Sequence, residues 1–153
     1  MQTSSIPGTV LATQYLRERP ACTLMLVDDD PMVREVLQAV LQVEGYRVIA
    51  CEDAECAVET AARTPFDLLV TDFQMPGMNG LELAIELTKL RPGLPVLMVS
   101  GSMLQDLPME ELRVRQWQFL AKPIDRGALI RMIESEVKRV RPMRATYAGY
   151  ETR

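Results

Sequence analysis

The sequence predicts an α/β fold, namely a doubly wound five-stranded parallel sheet with helices on both faces. Three observations predict it. Short apolar runs, typical of strands buried on both faces, alternate five times with segments whose apolar residues recur at helical spacing. This alternation requires crossover connections, which join parallel strands. The chain of 153 residues is 48% hydrophobic and 25% charged, a composition typical of one soluble globular domain.

The first half of the chain contains two predicted strands and two predicted helices. Apolar runs predict strands over residues 23–27 and 47–50. Between them, apolar side chains from Val33 to Leu41 recur at i, i+3, i+4, i+7 and i+8, which indicates a helix with one buried face. Gly45 is the expected C-terminal cap of this helix, and Asp53 is the expected N-terminal cap of the second one.

The second half repeats the strand and helix pattern three more times. Apolar runs predict strands over residues 68–72, 94–101 and 117–121. Helical spacing predicts a helix over residues 81–90. Residues 102–114 are less regular, and Asp106 and Pro108 there indicate a short helix that begins late, near Met109. A last helix is expected to be capped by Asp125 and ended by Pro142.

The sequence predicts a single folded domain between two terminal segments. We expect a flexible N-terminal arm over residues 1–20, the folded domain over 21–141 and a polar tail over 142–153. Since only about a dozen residues follow the last helix, no output domain is expected after it. The N-terminus has no signal-peptide pattern, and no apolar stretch approaches the roughly 18 residues of a membrane span. We therefore expect a cytoplasmic protein without membrane contact.

The contents of histidine and cysteine exclude several classes of chemistry. The chain has no histidine, which excludes Ser-His-Asp hydrolysis, Cys-His catalysis, histidine-bound metals and a phosphohistidine carrier within this chain. The three cysteines, Cys22, Cys51 and Cys56, are odd in number and lack the paired spacing of a zinc site. They are interpreted as reduced structural thiols.

Polar side chains follow the strands at the points where the strands end. Because parallel strands place their carboxyl ends at one edge, the side chains of Asp28, Asp29, Asp30, Asp72, Ser100 and Lys122 are expected to converge there. Gathered carboxylates repel one another and are tolerated only with a cation or with protons, of which a divalent cation is the simpler explanation. Mg²⁺ prefers oxygen ligands, which Asp29, Asp72 and a backbone carbonyl just after Asp72 would supply. A carboxylate can also be a phosphoryl acceptor. The metal and the Lys122 ammonium would then supply positive charge, and the Ser100 hydroxyl would donate a hydrogen bond to a phosphoryl oxygen.

Four segments of the chain together resemble the receiver domain of two-component response regulators. They are LVDDDP at 26–31, TDFQMPGMNG at 71–80, VSG at 99–101 and FLAKP at 119–123. The motifs stand in the order and at the spacing typical of this family, and the resemblance covers about residues 23–140. It implies a flavodoxin-like fold with strand order 2-1-3-4-5, in a receiver domain of the stand-alone type.

The resemblance also implies a role for each residue of the motifs. Asp72 would be the phosphoacceptor, and Lys122 would pair with the phosphoryl group. Mg²⁺ would be held by Asp28, Asp29, Asp72 and the backbone carbonyl of Gln74. Ser100 and Phe119 would form the switch that responds to phosphorylation. The protein would carry out only magnesium-dependent self-phosphorylation and self-dephosphorylation, rather than act as an enzyme on other substrates.

The resemblance further indicates the kind of partner that the protein has. The phosphoryl donor would be a histidine kinase or a histidine phosphotransfer protein, and the phosphorylated chain would bind an unknown output protein or a second copy of itself. The net charge is −10 over residues 1–112 and +6 over residues 113–153. The basic residues Lys138, Arg139, Arg141 and Arg144 are interpreted as a solvated helix end, so no nucleic-acid partner is expected.

The sequence departs from the family pattern at three places, and two alternative functions remain open. Ser100 replaces the more usual threonine, Arg115-Gln116 replaces a small Gly-Ala pair before the fifth strand, and Pro108 falls within the expected fourth helix. The first alternative is a Mg²⁺-dependent phosphohydrolase with Asp72 as nucleophile, and the second is a scaffold that works without phosphate. Phe119 as a plain core residue is also open.

Overall fold

The computed structural model describes residues 22–148 and has the predicted architecture. Five parallel strands form one sheet in the order β2-β1-β3-β4-β5. The strands are β1 Thr23–Val27, β2 Arg47–Cys51, β3 Leu68–Asp72, β4 Val96–Ser100 and β5 Gln118–Ala121. The helices are α1 Pro31–Val43, α2 Ala54–Ala61, α3 Gly80–Leu90, α4 Met109–Val114 and α5 Arg126–Ala148, and a 3₁₀ turn covers Leu104–Asp106. The predicted fold and strand order are therefore confirmed, whereas the predicted arm over 1–20 lies outside the described residues.

The helices cover both faces of the sheet, and the alternation of side chains along each strand builds one core on each face. Beneath α1 and α5, the core contains Leu24, Leu26, Leu37, Leu41, Leu68, Val70, Leu97, Val99, Leu129 and Ile133. Beneath α2, α3 and α4, it contains Met25, Val27, Ala57, Leu69, Leu83, Leu87, Val96, Met98 and Leu112. The fully buried β3 lies at the centre of the sheet, which explains why its apolar run is continuous. Within residues 22–148, no helix is long and apolar enough to span a membrane.

The predicted caps are present at the helix ends. The Asp53 carboxylate accepts a hydrogen bond of 2.7 Å from the backbone of Cys56, and the Asp125 carboxylate accepts one of 2.7 Å from Ala128. Gly45 follows α1 with a φ of 94°, a left-handed conformation that a glycine adopts without a steric penalty. Short side chains with polar oxygens therefore fix where these helices begin.

The predicted end of the last helix is wrong. Pro142 does not stop α5, which continues to Ala148. A proline removes one hydrogen bond and bends a helix, but its fixed φ of about −65° is itself helical. Met143, Arg144 and Ala145, which follow it, are strong helix formers. The other predicted helix and strand bounds agree with the structure to within two residues, as far as the pattern specified them.

The connection from α4 to β5 contains a residue in a left-handed conformation. Gln116 has a φ of 58°, and its N–H donates to the carbonyl of Arg113 at 3.1 Å. The N–H of Trp117 donates to the carbonyl of Leu112 at 2.9 Å, so the two bonds form a Schellman motif that ends α4. The departure of Arg115-Gln116 from the family pattern thus leaves a residue with a Cβ at a position that favours glycine.

Gln116→Gly is expected to stabilise the protein. Glycine removes the steric cost of the left-handed conformation, which should raise the free energy of unfolding by roughly 0.5–1 kcal/mol in urea denaturation. Gln116→Ala is the matched control, because it removes the same side chain and keeps the Cβ. A gain in both variants would show that the side chain, rather than the backbone conformation, is the cause.

Candidate functional site

Two buried carboxylates lie side by side at the carboxyl edge of the sheet. β1 pairs with β3 so that Val27 is opposite Thr71. The next residues, Asp28 and Asp72, are therefore neighbours on adjacent strands. Asp28 is 2% exposed and Asp72 is 7% exposed. Two carboxylates buried this close together repel each other unless a cation lies between them.

The Lys122 ammonium supplies that cation. Lys122 directly follows β5, and its Nζ lies 3.3 Å from Oδ2 of Asp72 and 3.3 Å from Oδ2 of Asp28. The backbone N–H of Lys122 also donates to the carbonyl of Ser100 at 2.8 Å, which fixes the residue beside β4. The peptide bond from Lys122 to Pro123 is cis. One ammonium group therefore bridges two carboxylates from distant parts of the chain.

The surroundings of Asp72 and Lys122 raise the pKa values of both side chains. Burial raises the pKa of Asp72, the ammonium of Lys122 lowers it, and the carboxylate of Asp28 raises it again, so the pKa lies above its usual value. Burial lowers the pKa of Lys122, but the two carboxylates outweigh burial and raise that pKa above its usual value. Lys122 therefore stays charged at neutral pH, whereas the charge of Asp72 is only partly compensated.

Asp29 supplies a third carboxylate, and the side chains of Asp28, Asp29 and Asp72 together form an acidic group that suits a metal ion. Oxygen atoms of Asp28, Asp29 and Asp72 lie within 4.8 Å of one another, and Asp29 is exposed. The loops hold two of these carboxylates in place, because Asp28 Oδ1 accepts the N–H of Asp30 at 2.9 Å and Asp72 Oδ1 accepts the N–H of Gln74 at 3.3 Å. Hard carboxylate oxygens in this number fit Mg²⁺ or another hard divalent cation.

Asp30 and Gln74, which were also predicted at this edge of the sheet, lie next to the acidic group rather than within it. Asp30 caps α1, where its Oδ1 accepts the N–H of Met32 at 2.9 Å. Gln74 lies at the edge of the group, with its backbone beside the Asp72 carboxylate and its side chain exposed. The structure thus brings Asp28, Asp29, Asp72 and Lys122 together, with the main chain of Gln74 close by.

Ser100 and Phe119 lie on the sheet face that α4 covers. The Ser100 side chain is completely buried, and its Oγ accepts the N–H of Ser102 at 3.0 Å. Phe119 is opposite Met98 in the pairing of β4 with β5 and packs partly buried against the same core. Because Ser100 is two residues after Met98, both predicted switch residues point to the same face of the sheet.

Gly80, which was named above only as the last residue of the TDFQMPGMNG motif, is the first residue of α3 and lies against the end of the strand that carries Asp72. A Cβ at this position would overlap the backbone carbonyl oxygen of Asp72 and approach Sδ of Met98 to 2.9 Å. The Gly80 N–H also donates to the carbonyl of Phe73 at 2.8 Å. The sequence signal is a glycine directly after a helix cap, here Asn79, where the chain passes close to the end of a strand.

Arg34 is a second residue that the sequence analysis missed. Its guanidinium donates to the backbone carbonyl of Asp28 at 2.7 Å and so holds the acidic loop against α1. The periodicity of α1 gave no signal for this contact, because Arg34 occupies an ordinary polar position of the helix.

Gly80→Ala is expected to destabilise the protein by at least about 2 kcal/mol, because the new methyl group must push α3 away from the end of β3. The free energy of unfolding in urea measures the effect. Gly101→Ala is the control, since a Cβ there meets only Lys122 carbons at 3.9 and 4.0 Å. Equal losses in the two variants would contradict the steric explanation.

Asp72→Asn is expected to stabilise the protein in the absence of divalent cations, on the order of 1 kcal/mol, because it removes one of two buried like charges while Asp28 still pairs with Lys122. The folded state of the wild type binds the Asp72 proton more tightly than the unfolded state, so the wild type loses stability as the pH rises above the usual value of 3.8.

The advantage of Asp72→Asn should therefore grow with pH over this range and then level off above the raised pKa. Urea denaturation with a chelator present, repeated over a pH series, measures it. Asp29→Asn, at the exposed carboxylate, should change the stability much less. An advantage that is independent of pH would contradict the raised pKa of Asp72.

Comparison with known proteins agrees with this geometry. The family model described as "response regulator receiver domain" matches residues 24–134. The transcriptional regulatory protein GlrR of Escherichia coli (strain K12) is 33% identical over 121 residues, which cover 78% of this chain and 27% of GlrR. The response regulator protein FleR of Pseudomonas aeruginosa is 34% identical over 113 residues, which cover 74% of this chain and 24% of FleR. The chain thus spans about a quarter of the length of these relatives.

Solved structures show the same fold. A CheY-like response regulator receiver domain protein from Methanospirillum hungatei has a TM-score of 0.72 and 25% sequence identity, with 78% of this chain and 96% of that chain covered. The receiver domain is a domain of signalling proteins rather than of a classical enzyme family. The sequence, the strand order and the acidic group at the carboxyl edge agree, and the chain belongs to the receiver domain family of two-component response regulators.

Proposed function

We propose that the protein is a phosphorylation-activated response regulator that accepts a phosphoryl group on Asp72 in a Mg²⁺-dependent reaction. The donor is a phosphohistidine of a partner histidine kinase or histidine phosphotransfer protein, and the phosphorylated chain signals by binding an output protein. The observation that supports this proposal most strongly is the Lys122 ammonium, which lies 3.3 Å from both Asp28 and Asp72. Oxygen atoms of these two carboxylates and of Asp29 lie within 4.8 Å of one another.

Lys122 and the residues of the acidic group each have a separate role in this reaction. A carboxylate oxygen of Asp72 attacks phosphorus, forming the O–P bond as the N–P bond to the donor imidazole breaks, and the imidazole leaves with its proton. Lys122 pairs with the negative charge of the phosphoryl oxygens. Asp28, Asp29, Asp72 and the carbonyl of Gln74 would hold Mg²⁺, which neutralises charge on the transferred group.

Ser100 and Phe119 are the residues that we assign to the response. In the unphosphorylated chain, the Ser100 hydroxyl oxygen accepts the N–H of Ser102. Donation from this hydroxyl to a phosphoryl oxygen draws it away from that bond, toward the carboxyl edge of the sheet. The space vacated on the α4 face of the sheet favours an inward position of the Phe119 ring, which is now only partly buried. Phosphorylation thereby shifts the equilibrium between two conformations of the surface formed by α4 and β5.

An exposed apolar stripe on α1 is the surface that we assign to the phosphoryl donor. Met32, Val36, Ala39 and Val43 recur at i, i+4, i+7 and i+11 and are all exposed, with exposed fractions of 74% for Met32, 58% for Val36 and 77% for Val43. The stripe begins at Met32, three residues after Asp29. A helix of a partner packed along α1 would therefore carry a phosphohistidine close to the acidic group.

Incubation with acetyl phosphate and Mg²⁺ is expected to add about 80 Da to the intact mass of the protein, as one phosphoryl group. The adduct should be absent with a chelator, and Asp72→Asn should lack it. The emission of Trp117, which packs against the same core as Phe119, should change with the same time course.

Two further assays, with phosphomonoesters and with phosphorylated histidine kinases, test the alternative functions. Rapid multiple turnover of phosphomonoesters would favour a phosphohydrolase with Asp72 as nucleophile. An absence of adduct with both acetyl phosphate and phosphorylated kinases would indicate a scaffold that works without phosphate.

Val36→Lys is expected to slow phosphoryl transfer from a protein donor about tenfold or more, because a charge on the stripe costs roughly 1.4 kcal/mol or more of binding energy. A panel of autophosphorylated histidine kinase domains is first screened for those that label the wild type. The transfer rates of the variants are then measured with these kinases. Val114→Lys is the matched control, since Val114 on α4 is also a valine and is 68% exposed. Labelling by acetyl phosphate should be the same in both variants, and equal rates with a kinase would contradict a donor surface on α1.

A further inference from the structure

Two cysteines lie together at the junction of β2 and α2, outside the acidic group. Cys51 is the last residue of β2 and is 2% exposed, whereas Cys56 lies in the first turn of α2 and is only partly buried. The Oγ1 of Thr60 lies 3.9 Å from Sγ of Cys51 and 4.0 Å from Sγ of Cys56. Both thiols therefore point into the same small space.

The local structure fixes this arrangement. The Thr60 hydroxyl donates to the carbonyl of Cys56 at 2.7 Å, so its oxygen remains free to accept hydrogen bonds from thiols. The N–H of Cys56 donates to the Asp53 carboxylate at 2.7 Å, which fixes the first turn of α2. Cys22, by contrast, belongs to the core beneath α1 and α5, on the opposite face of the sheet.

The two thiols differ in reactivity. Burial, together with the smaller effect of the neighbouring Cys56 thiol, raises the pKa of Cys51 to about 12. Because Cys51 is 2% exposed and Cys56 is only partly buried, Cys56 is the thiol that an oxidant meets first.

We propose that Cys51 and Cys56 form a reversible thiol oxidation site that closes to an intrachain disulfide with a hydroperoxide as oxidant. The Cys56 thiolate attacks the terminal peroxide oxygen, which breaks the O–O bond and yields a sulfenic acid and an alcohol, or water from hydrogen peroxide. The Cys51 sulfur then attacks the Cys56 sulfur, forming the S–S bond and releasing the hydroxyl as water. Two thiols and one hydroperoxide thus give one disulfide, one alcohol and one water.

The disulfide would form beside the acidic group. The N–H of Asp28 donates to the backbone carbonyl of Cys51 at 3.3 Å, so the strand end that carries one thiol is hydrogen-bonded to the residue that begins the acidic loop. The site does not depend on the proposed phosphoryl transfer, because neither thiol belongs to the acidic group.

The test uses the full chain in its folded state, treated with hydrogen peroxide and then alkylated after denaturation. We expect one alkylated thiol, Cys22, instead of three. Cleavage after glutamate cuts the chain at Glu52 and Glu55, between the two cysteines, so the disulfide holds two peptides together until a dithiol reductant separates them. This pair of peptides identifies the bond even where methionine oxidation changes the intact mass.

Two variants and one condition control the experiment. Cys22→Ser should form the linked peptides at the wild-type rate, and Cys56→Ser should form none. The reaction should be at least several-fold slower in concentrated urea, where the fold no longer holds the thiols together. Three alkylated thiols after treatment, a bond to Cys22, or equal rates in folded and unfolded chains would each overturn the proposal.

Discussion

The bridge from the Lys122 ammonium to the carboxylates of Asp28 and Asp72 is the interaction on which the site depends. Both carboxylates are almost fully buried, and removal of the partner of a buried charge costs about 3–5 kcal/mol. The ammonium compensates them only in part, since the pKa of Asp72 remains raised. The protein therefore folds around a group of charges that still attracts a further cation.

The sheet holds this group of charges in place, because its strand order makes neighbours of residues that are far apart in sequence. β3 lies between β1 and β4, so Asp72 has Asp28 on one side and the end of β4 on the other. The close approach of Gly80 to the Asp72 carbonyl brings the start of α3 against the same strand end. Arg34 fixes the acidic loop from α1. The geometry of the charges is thus set by main-chain contacts as much as by the side chains that carry them.

Most of the fold could be predicted from the sequence, since apolar periodicity reports directly which face of each element is buried. The convergence of Asp28, Asp72 and Lys122 followed from the parallel sheet alone. Contacts that do not follow a period could not be predicted in this way. The role of Gly80 was not predicted because a close approach between backbones leaves no pattern of hydrophobicity. The predicted end of α5 was wrong because a helix can continue through a proline, here Pro142. The pairing of Cys51 with Cys56 likewise depends on how β2 meets α2.

The order of the site residues along the chain has a consequence for biosynthesis. Asp28 and Asp72 leave the ribosome well before Lys122, which lies 94 residues after Asp28 and 50 after Asp72. Until β5 has been added at the edge of the sheet, the two carboxylates lack the cation that allows them to be buried together. A nascent chain that ends before β5 therefore has an electrostatic reason not to close its sheet. Lys122 joins these carboxylates only when β5, the last strand of the described sheet, has been synthesised, so the ion pairs that permit their joint burial form late in the synthesis of the domain.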